Sequence, residues 1–194
     1  MAVSKGQPVA RIEQAVAAGQ KAFGENYVQE AVQKMQLLPP LEWHLIGPLQ
    51  SNKTRIAAER FDWVQTVASE KIARRLSEQR PADRAPLNVL IQVNVSGEAS
   101  KSGIDLAWAR PLAGAISALP RLRLRGLMAI PEPGADRSRF HAAKVLFDEL
   151  KDEFAFDTLS MGMSDDLEFA LAEGATMVRI GSAIFGQRTQ RDAA

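Results

Sequence analysis

Short apolar runs alternate with longer stretches of mixed polarity along the whole chain. The apolar runs predict strands at residues 1–4, 21–24, 42–47, 63–67, 88–95, 124–130, 158–161 and 177–180. The stretches between them predict helices at residues 9–18, 27–37, 53–60, 69–79, 105–118, 137–154 and 165–173. The run NVLIQVNV, which is β-branched or apolar at most positions, is typical of a strand covered on both faces.

This alternation predicts the class of fold. Strands that alternate with helices form right-handed βαβ units, in which neighbouring strands are parallel. Eight such units would close into a (β/α)₈ TIM-type barrel, a fold that normally takes about 250 residues and at least about 200. With 194 residues, the chain is short for this fold. The stretch PADRAP fits a helix-to-strand loop rather than a linker, so we predict an α/β protein with one domain over residues 1–194.

The composition disfavours several kinds of function. A net charge of +1 gives no indication of nucleic acid as a main partner. The chain has no cysteine and two histidines, which excludes thiolate metal sites and disfavours a metal centre or a Ser-His-Asp triad. No apolar run approaches the roughly 20 residues of a membrane span, and the first residues do not resemble a signal peptide. We therefore expect a cytoplasmic protein without a metal ion, a nucleic-acid partner or a membrane partner.

Candidate chemistry lies after the predicted strands, because the active face of such a barrel forms at the carboxyl ends of its strands. Lys5 follows the first strand. The loops after the seventh and eighth strands, SMGMSDD and RIGSAIFG, contain hydroxyls and small residues suited to binding an anion: Ser160, Ser164, Gly181 and Ser182. Arg179 lies just before the last pair. A lysine across from a phosphate site is the arrangement that an aldehyde cofactor with a phosphate tail requires.

Each of these residues also has a simpler interpretation. A lysine at the end of a strand is usually a solvated charge, and Lys5 could be the counter-charge for some other phosphorylated metabolite. Asp165 and Asp166 resemble an acid/base pair, but acidic residues in the first turn of a helix usually complement its dipole. His44, within EWHLIG, fits a strand residue whose ring is paired with a neighbour. The combination of the lysine with the two loops, rather than any one motif, favours the cofactor hypothesis.

Long stretches of the chain are similar to one family. They are AVSK, FGENYVQEA, EWHLIGPLQSNK, LIQVNVSGEASKSGI, LRGLMAIPEP and SMGMSDDLEFALAEGATMVRIGSAIFGQR, and they extend to about Arg188. These stretches resemble the motifs of the YggS/PROSC family of pyridoxal phosphate homeostasis proteins. The resemblance implies the fold of the alanine racemase N-terminal barrel, with pyridoxal 5′-phosphate (PLP) as cofactor. It also implies that the helix usual before the AVSK strand in this family is lacking here.

The resemblance assigns roles to individual residues. Lys5 in AVSK would form a Schiff base with PLP, and Asn26 in GEN would line the cofactor pocket. The residues that would hold the phosphate are Ser160, Gly181 and Ser182. Arg179 would face the pyridine nitrogen. Because a guanidinium can only donate a hydrogen bond, that nitrogen would stay unprotonated and the ring would be a weaker electron sink.

These roles favour a protein that stores, buffers or delivers PLP over an enzyme. The alternative is a PLP-dependent amino-acid racemase, which needs a second acid/base on the opposite face of its substrate. The chain has one tyrosine, Tyr27, on the early helix, and the single predicted domain leaves no second domain to supply this group. We expect a monomer without robust turnover, and apo-enzymes that require PLP are its candidate recipients.

Overall fold

The computed structural model describes residues 1–97 and 102–186, which contain a sheet of seven parallel strands. The strands are β1 (Ala2–Val3), β2 (Ala22–Glu25), β3 (Glu42–Leu45), β4 (Trp63–Val67), β5 (Leu87–Val93), β6 (Leu122–Ala129) and β7 (Thr158–Ser160). Each strand pairs with the next one along the chain, which confirms the predicted succession of parallel units. The expected single domain over residues 1–194 and the family-like stretch to Arg188 include residues outside the described ranges.

Helices connect the strands and pack against the sheet. They are α1 (Val9–Ala17), α2 (Val28–Leu37), α3 (Thr54–Arg60), α4 (Glu70–Gln79), α5 (Ala109–Ser117), α6 (Arg137–Phe154), α7 (Leu167–Ala172) and α8 (Ser182–Phe185). The predicted helix at 165–173 begins two residues late, because the Met163 N–H donates to Asp166 Oδ1 (2.5 Å) and the intervening residues form a turn. Helix α8 lies beyond the predicted helices. No helix within the two described ranges is long and apolar enough to cross a membrane.

The sheet carries buried apolar side chains on both faces. The larger cluster joins strand residues such as Val89 and Ile91 to the inner faces of the helices. A smaller cluster consists of Trp63, Leu90 and Met128, with Met177 packed against it. Because Leu90 alternates with its two neighbours along β5, this cluster lies on the other face of the sheet, inside its curl. The prediction that this strand is covered on both faces is confirmed.

The expected eighth strand at residues 177–180 is present only as isolated bridges. Met177 pairs in this way with Ser160 of β7, and Ile180 pairs with Ala2 of β1. The N–H of Val3 also donates to the Ile180 oxygen (2.8 Å). The prediction of eight regular strands is therefore confirmed for seven of them. The two edge strands nevertheless contact the same segment, so the sheet is strongly curled.

Candidate functional site

A cavity of about 610 Å³ lies where the carboxyl ends of the strands meet. Its walls come from segments that follow β1, β2, β3, β6 and β7, together with the segment after residue 177. Val3, Ile46, Ile130 and Met163 give it an apolar wall. The volume is within the usual range for a site that encloses a small organic molecule, about 300–1,000 Å³.

Five of the six residues predicted from the sequence line this cavity. They are Lys5, Asn26, Arg179, Gly181 and Ser182. The sixth, Ser160, is fully buried and is not part of the lining. Ser164, Gln7 and Asp165 line the cavity as well. Ser160 ends β7 and Ser164 lies in the loop that follows, and sequence reasoning had no means of deciding which of these two hydroxyls faces the cavity.

Lys5 lies in a tight turn directly after β1. Gly6, the next residue, has a φ of +67°, a backbone conformation that residues with a side chain rarely adopt. Its N–H donates to Glu30 Oε1 of α2 (2.6 Å). On the other side of Lys5, the Ser4 N–H donates to the Gly24 oxygen (3.0 Å) and continues the pairing of β1 with β2. The backbone around Lys5 is thus fixed on both sides.

A buried ionic network lies beneath this turn. Lys34 Nζ of α2 donates to Glu25 Oε1 (2.8 Å), to Glu30 Oε1 (2.6 Å) and to the Ser4 carbonyl oxygen (2.7 Å). The Ser4 hydroxyl donates to the same Glu25 oxygen (2.5 Å). Burial raises the pKa of Glu25 above its ordinary value, and the nearby ammonium of Lys34 opposes this shift. This network was not predicted, because Glu30 and Lys34 have the i, i+4 spacing of an ordinary surface pair.

Arg179 forms a buried cationic side of the cavity. Its guanidinium donates from Nη1 to the Ser160 hydroxyl oxygen (2.8 Å) and from Nη2 to the Ala129 carbonyl oxygen (2.9 Å). Burial lowers the pKa of Arg179 to about 10, and Asp166 opposes this shift. The group therefore stays protonated at neutral pH, and towards a bound molecule it can only donate.

Hydroxyl and backbone donors form another part of the wall. The Ser182 hydroxyl donates to the Ser164 hydroxyl oxygen (3.0 Å), which brings the loop after β7 and the start of α8 together. Within α8, Ile184 and Phe185 donate their N–H groups to the Gly181 oxygen. The N–H groups of the residues before them have no acceptor within the helix, as in the first turn of any helix. This part of the wall is suited to the oxygens of a phosphate.

Asn26 is placed by a close approach of two loops. Gly47 follows β3, and a Cβ atom added to it would lie 2.2 Å from the Asn26 carbonyl oxygen. Any larger residue at position 47 would therefore move the loop after β2. Tyr27, the next residue, is 67% exposed and does not line the cavity.

The fold and the cavity together define a class of protein. Proteins of this class have a curled parallel sheet covered by helices, with a lysine, a buried arginine and paired hydroxyls in one cavity at the carboxyl edge of the sheet. The family described as "Alanine racemase, N-terminal domain" matches residues 1–189. The pyridoxal phosphate homeostasis protein of Pseudomonas aeruginosa is 60% identical over 192 residues, which cover 97% of this chain and 84% of that protein. The chain belongs to the alanine racemase N-terminal domain family and, within it, to the pyridoxal phosphate homeostasis proteins.

Solved structures agree with this assignment. PipY of Synechococcus elongatus PCC7942, with PLP bound, has a TM-score of 0.87 at 40% identity, over 96% of this chain and 91% of that one. An alanine racemase of Clostridium difficile 630 has a TM-score of 0.78 at 12% identity, over 98% of this chain and 52% of that one. The second comparison shows the shared fold alone.

Proposed function

We propose that this chain binds PLP in the cavity and serves PLP homeostasis by storing, buffering or delivering the cofactor. The observation that carries the proposal is that Lys5, Arg179 and Ser182 line the same cavity of about 610 Å³. The name of the Pseudomonas aeruginosa relative and the PLP bound to PipY support it.

The chemistry of the lining residues fits this cofactor. PLP supplies an aldehyde carbon that reacts reversibly with amines, and Lys5 provides the amine. Ser164, Ser182 and the first N–H groups of α8 would bind the phosphate oxygens. Arg179 would donate to the pyridine nitrogen and keep a proton off it. Val3, Ile46 and Ile130 would cover the ring and exclude water.

The role predicted for Ser160 is revised in this proposal. Its hydroxyl oxygen accepts a hydrogen bond from Arg179 Nη1 (2.8 Å), and the residue is fully buried. We therefore expect Ser160 to act through Arg179 and Ser164 to take its place at the phosphate.

We further propose that residues 177–180 close the curled sheet into an eight-stranded barrel. The bridges of this segment to both β1 and β7 support this interpretation. Closure matters to the site, since Arg179 lies within the segment and its N–H donates to the Gly162 oxygen (2.9 Å).

A holding and delivering role is favoured over racemisation. The titratable side chains of the lining are Lys5, Asp165 and Arg179, and Asp165 adjoins Ser164 in the segment proposed to bind phosphate. Within the described lining there is thus no evident second acid/base opposite Lys5. The cytoplasmic location and the monomeric state stay predictions.

Covalent trapping tests the proposal. Purified protein is incubated with PLP, reduced with borohydride and digested, and the modified peptide is identified by mass spectrometry. We expect a single reduced adduct on Lys5. Excess inorganic phosphate present while PLP is loaded should reduce its yield, because phosphate competes with PLP for the site. An adduct spread over many surface lysines would contradict a specific PLP site.

A further inference from the structure

A continuous chain of hydrogen bonds extends from the cavity through the interior of the sheet. Arg179 Nη1 lies 2.8 Å from Ser160 Oγ, and Ser160 Oγ lies 2.7 Å from Gln65 Oε1. Gln65 Nε2 lies 2.9 Å from His44 Nδ1, and His44 Nε2 lies 2.7 Å from Glu42 Oε1. The residues of this chain of hydrogen bonds come from four elements: the segment after residue 177, β7, β4 and β3.

When the His44 ring is neutral, the two ends of this chain determine the direction of every hydrogen bond in it. A guanidinium can only donate and a carboxylate can only accept. Arg179 therefore donates to Ser160, and Ser160 must pass its own hydrogen to the amide oxygen of Gln65. The amide nitrogen of Gln65 donates to His44 Nδ1, and the Nε2–H of His44 donates to Glu42.

The surroundings of Gln65 oppose the reverse orientation of its amide. Its Nε2 also contacts the thioether sulfur of Met177 (3.2 Å), so a flipped amide would place its oxygen against a sulfur and an unprotonated ring nitrogen. The His44 ring stacks on Trp63 with centroids 5.1 Å apart, which fixes the ring plane. Burial lowers the pKa of His44, against the opposing effect of Glu42, and this favours the neutral ring that the chain requires.

We propose that Gln65 is a positioning residue for Arg179, acting through the Ser160 hydroxyl, with His44 setting the orientation of the Gln65 amide. Because the Ser160 hydrogen is committed to Gln65, the lone pairs of the hydroxyl stay turned towards the guanidinium. The other half of the guanidinium is held by the Ala129 carbonyl oxygen (2.9 Å). Together these contacts fix the plane of the one buried cation that lines the cavity among the described residues.

The role of Arg179 towards PLP rests on the proposed function, but the hydrogen-bonded chain does not, so the first measurement uses protein without cofactor. Nitrogen-15 NMR of the imidazole should show His44 protonated at Nε2 and unprotonated at Nδ1. The Nη signals of Arg179 should be resolved, as for a guanidinium with hindered rotation. A His44 ring protonated at Nδ1, or at both nitrogens at neutral pH, would overturn the proposal.

Two variants and a matched control test whether Gln65 and Ser160 hold the Arg179 guanidinium in place. In Gln65→Met and in Ser160→Ala, we expect the Arg179 Nη groups to exchange about tenfold faster, the factor for one lost hydrogen bond of ordinary strength. Thr66→Val removes a buried hydrogen bond to the Gly47 oxygen (2.8 Å) from the same strand and should leave these signals unchanged. Unchanged Arg179 signals in a folded Ser160→Ala or Gln65→Met variant would contradict the proposal.

PLP titration then tests whether the hydrogen-bonded chain affects the affinity for the cofactor. Gln65→Met and Ser160→Ala should each raise the dissociation constant of PLP by a similar factor, about tenfold at most. The double variant should not exceed the larger single effect by more than about twofold, since both changes break one path. If the factors of the two single variants multiply in the double variant, Gln65 does not act through Ser160. If wild-type protein binds no PLP, the proposed function fails, while the NMR result still decides the positioning role.

Discussion

The ammonium of Lys34 lies 2.7 Å from the carbonyl oxygen of Ser4, the residue that immediately precedes Lys5. This contact joins helix α2 to the backbone of the turn that presents the candidate cofactor lysine. Lys34 is 6% exposed, and its other partners are Glu25 and Glu30. A buried ion network thus supports the position of Lys5 in the cavity wall.

Removing the Lys34 charge should destabilise the protein strongly. In Lys34→Met, the carboxylate of Glu25, which is fully buried, would lose its cationic partner. Leaving one member of a buried ion pair alone costs about 3–5 kcal/mol. Urea denaturation should show this loss, whereas the exposed-site control Lys71→Met should change the free energy of unfolding by less than about 0.5 kcal/mol. A loss below about 1 kcal/mol for Lys34→Met would contradict the proposed network.

The raised pKa of Glu25 predicts a pH dependence of stability. The pKa of Glu25 is raised from its ordinary value of 4.5, so native Glu25 keeps its proton at pH values above 4.5 at which Glu25 of the unfolded chain loses it. The native state therefore holds more protons there, and its stability falls as the pH rises through this interval. The free energy of unfolding of the wild type minus that of Glu25→Gln should decrease by up to about 1.4 kcal/mol per pH unit. The difference should level off above the native pKa, and an increase with pH would contradict the raised pKa.

Lys5→Ala should abolish covalent attachment of PLP. No other lysine among the described residues lines the cavity, so no amine replaces it there. Absorption spectra before and after borohydride reduction, followed by peptide mapping, measure the effect. Lys21→Ala is the matched control, because Lys21 lies just before β2, at the opposite end of a strand. A reduced adduct on the same region of Lys5→Ala would show that the assignment is wrong.

Loss of the paired hydroxyls should weaken PLP binding. Ser182→Ala and Ser164→Ala should each cost about 1–2 kcal/mol of binding free energy, the usual range for a hydrogen bond to a charged group. Because the two hydroxyls are hydrogen-bonded to each other (3.0 Å), the double variant should not show the sum of the two effects. Fluorescence titration with PLP measures the constants, and Ser117→Ala on α5 is the control. Affinity unchanged in both single variants would place the phosphate elsewhere.

PLP-loaded protein should not racemise amino acids at an enzymatic rate. Arg179 stays protonated at neutral pH, with a pKa of about 10, so it cannot take part as a base there. The single tyrosine, Tyr27, is exposed and lies outside the cavity lining. Chiral chromatography after incubation with L-alanine and other amino acids should show turnover well below about 1 s⁻¹, the low end of ordinary enzymes. Turnover at or above that rate would favour the racemase alternative.

The succession of the seven strands could be read from the sequence because each one falls in a short apolar run between longer stretches of mixed polarity. The run in β5, for example, predicts a strand covered on both faces, and Val89, Leu90 and Ile91 are all fully buried. Since parallel strands end at the same edge of a sheet, the sequence also placed Lys5, Arg179 and Ser182 together. These inferences depend only on local pattern and on the order of the elements.

Other features depend on contacts between residues far apart in the chain. Which serine faces the cavity depends on the partners of the buried Ser160 hydroxyl, which accepts from Arg179 (2.8 Å) and donates to Gln65 (2.7 Å). The segment at residues 177–180 forms bridges instead of a regular strand, with Met177 paired to Ser160 of β7 and Ile180 paired to Ala2 of β1.

The sequence by itself thus determined the elements, their order and the edge at which the candidate site lies. Only the tertiary structure decided which polar side chains are buried and paired. Lys34 resembles a surface residue until α2 brings its ammonium to the carbonyl oxygen of Ser4, and Gln65 meets Ser160 across 95 positions of the chain. The physical reason is that burial and hydrogen-bond direction are set by every group around a side chain. Local patterns of polarity contain no information about those neighbours.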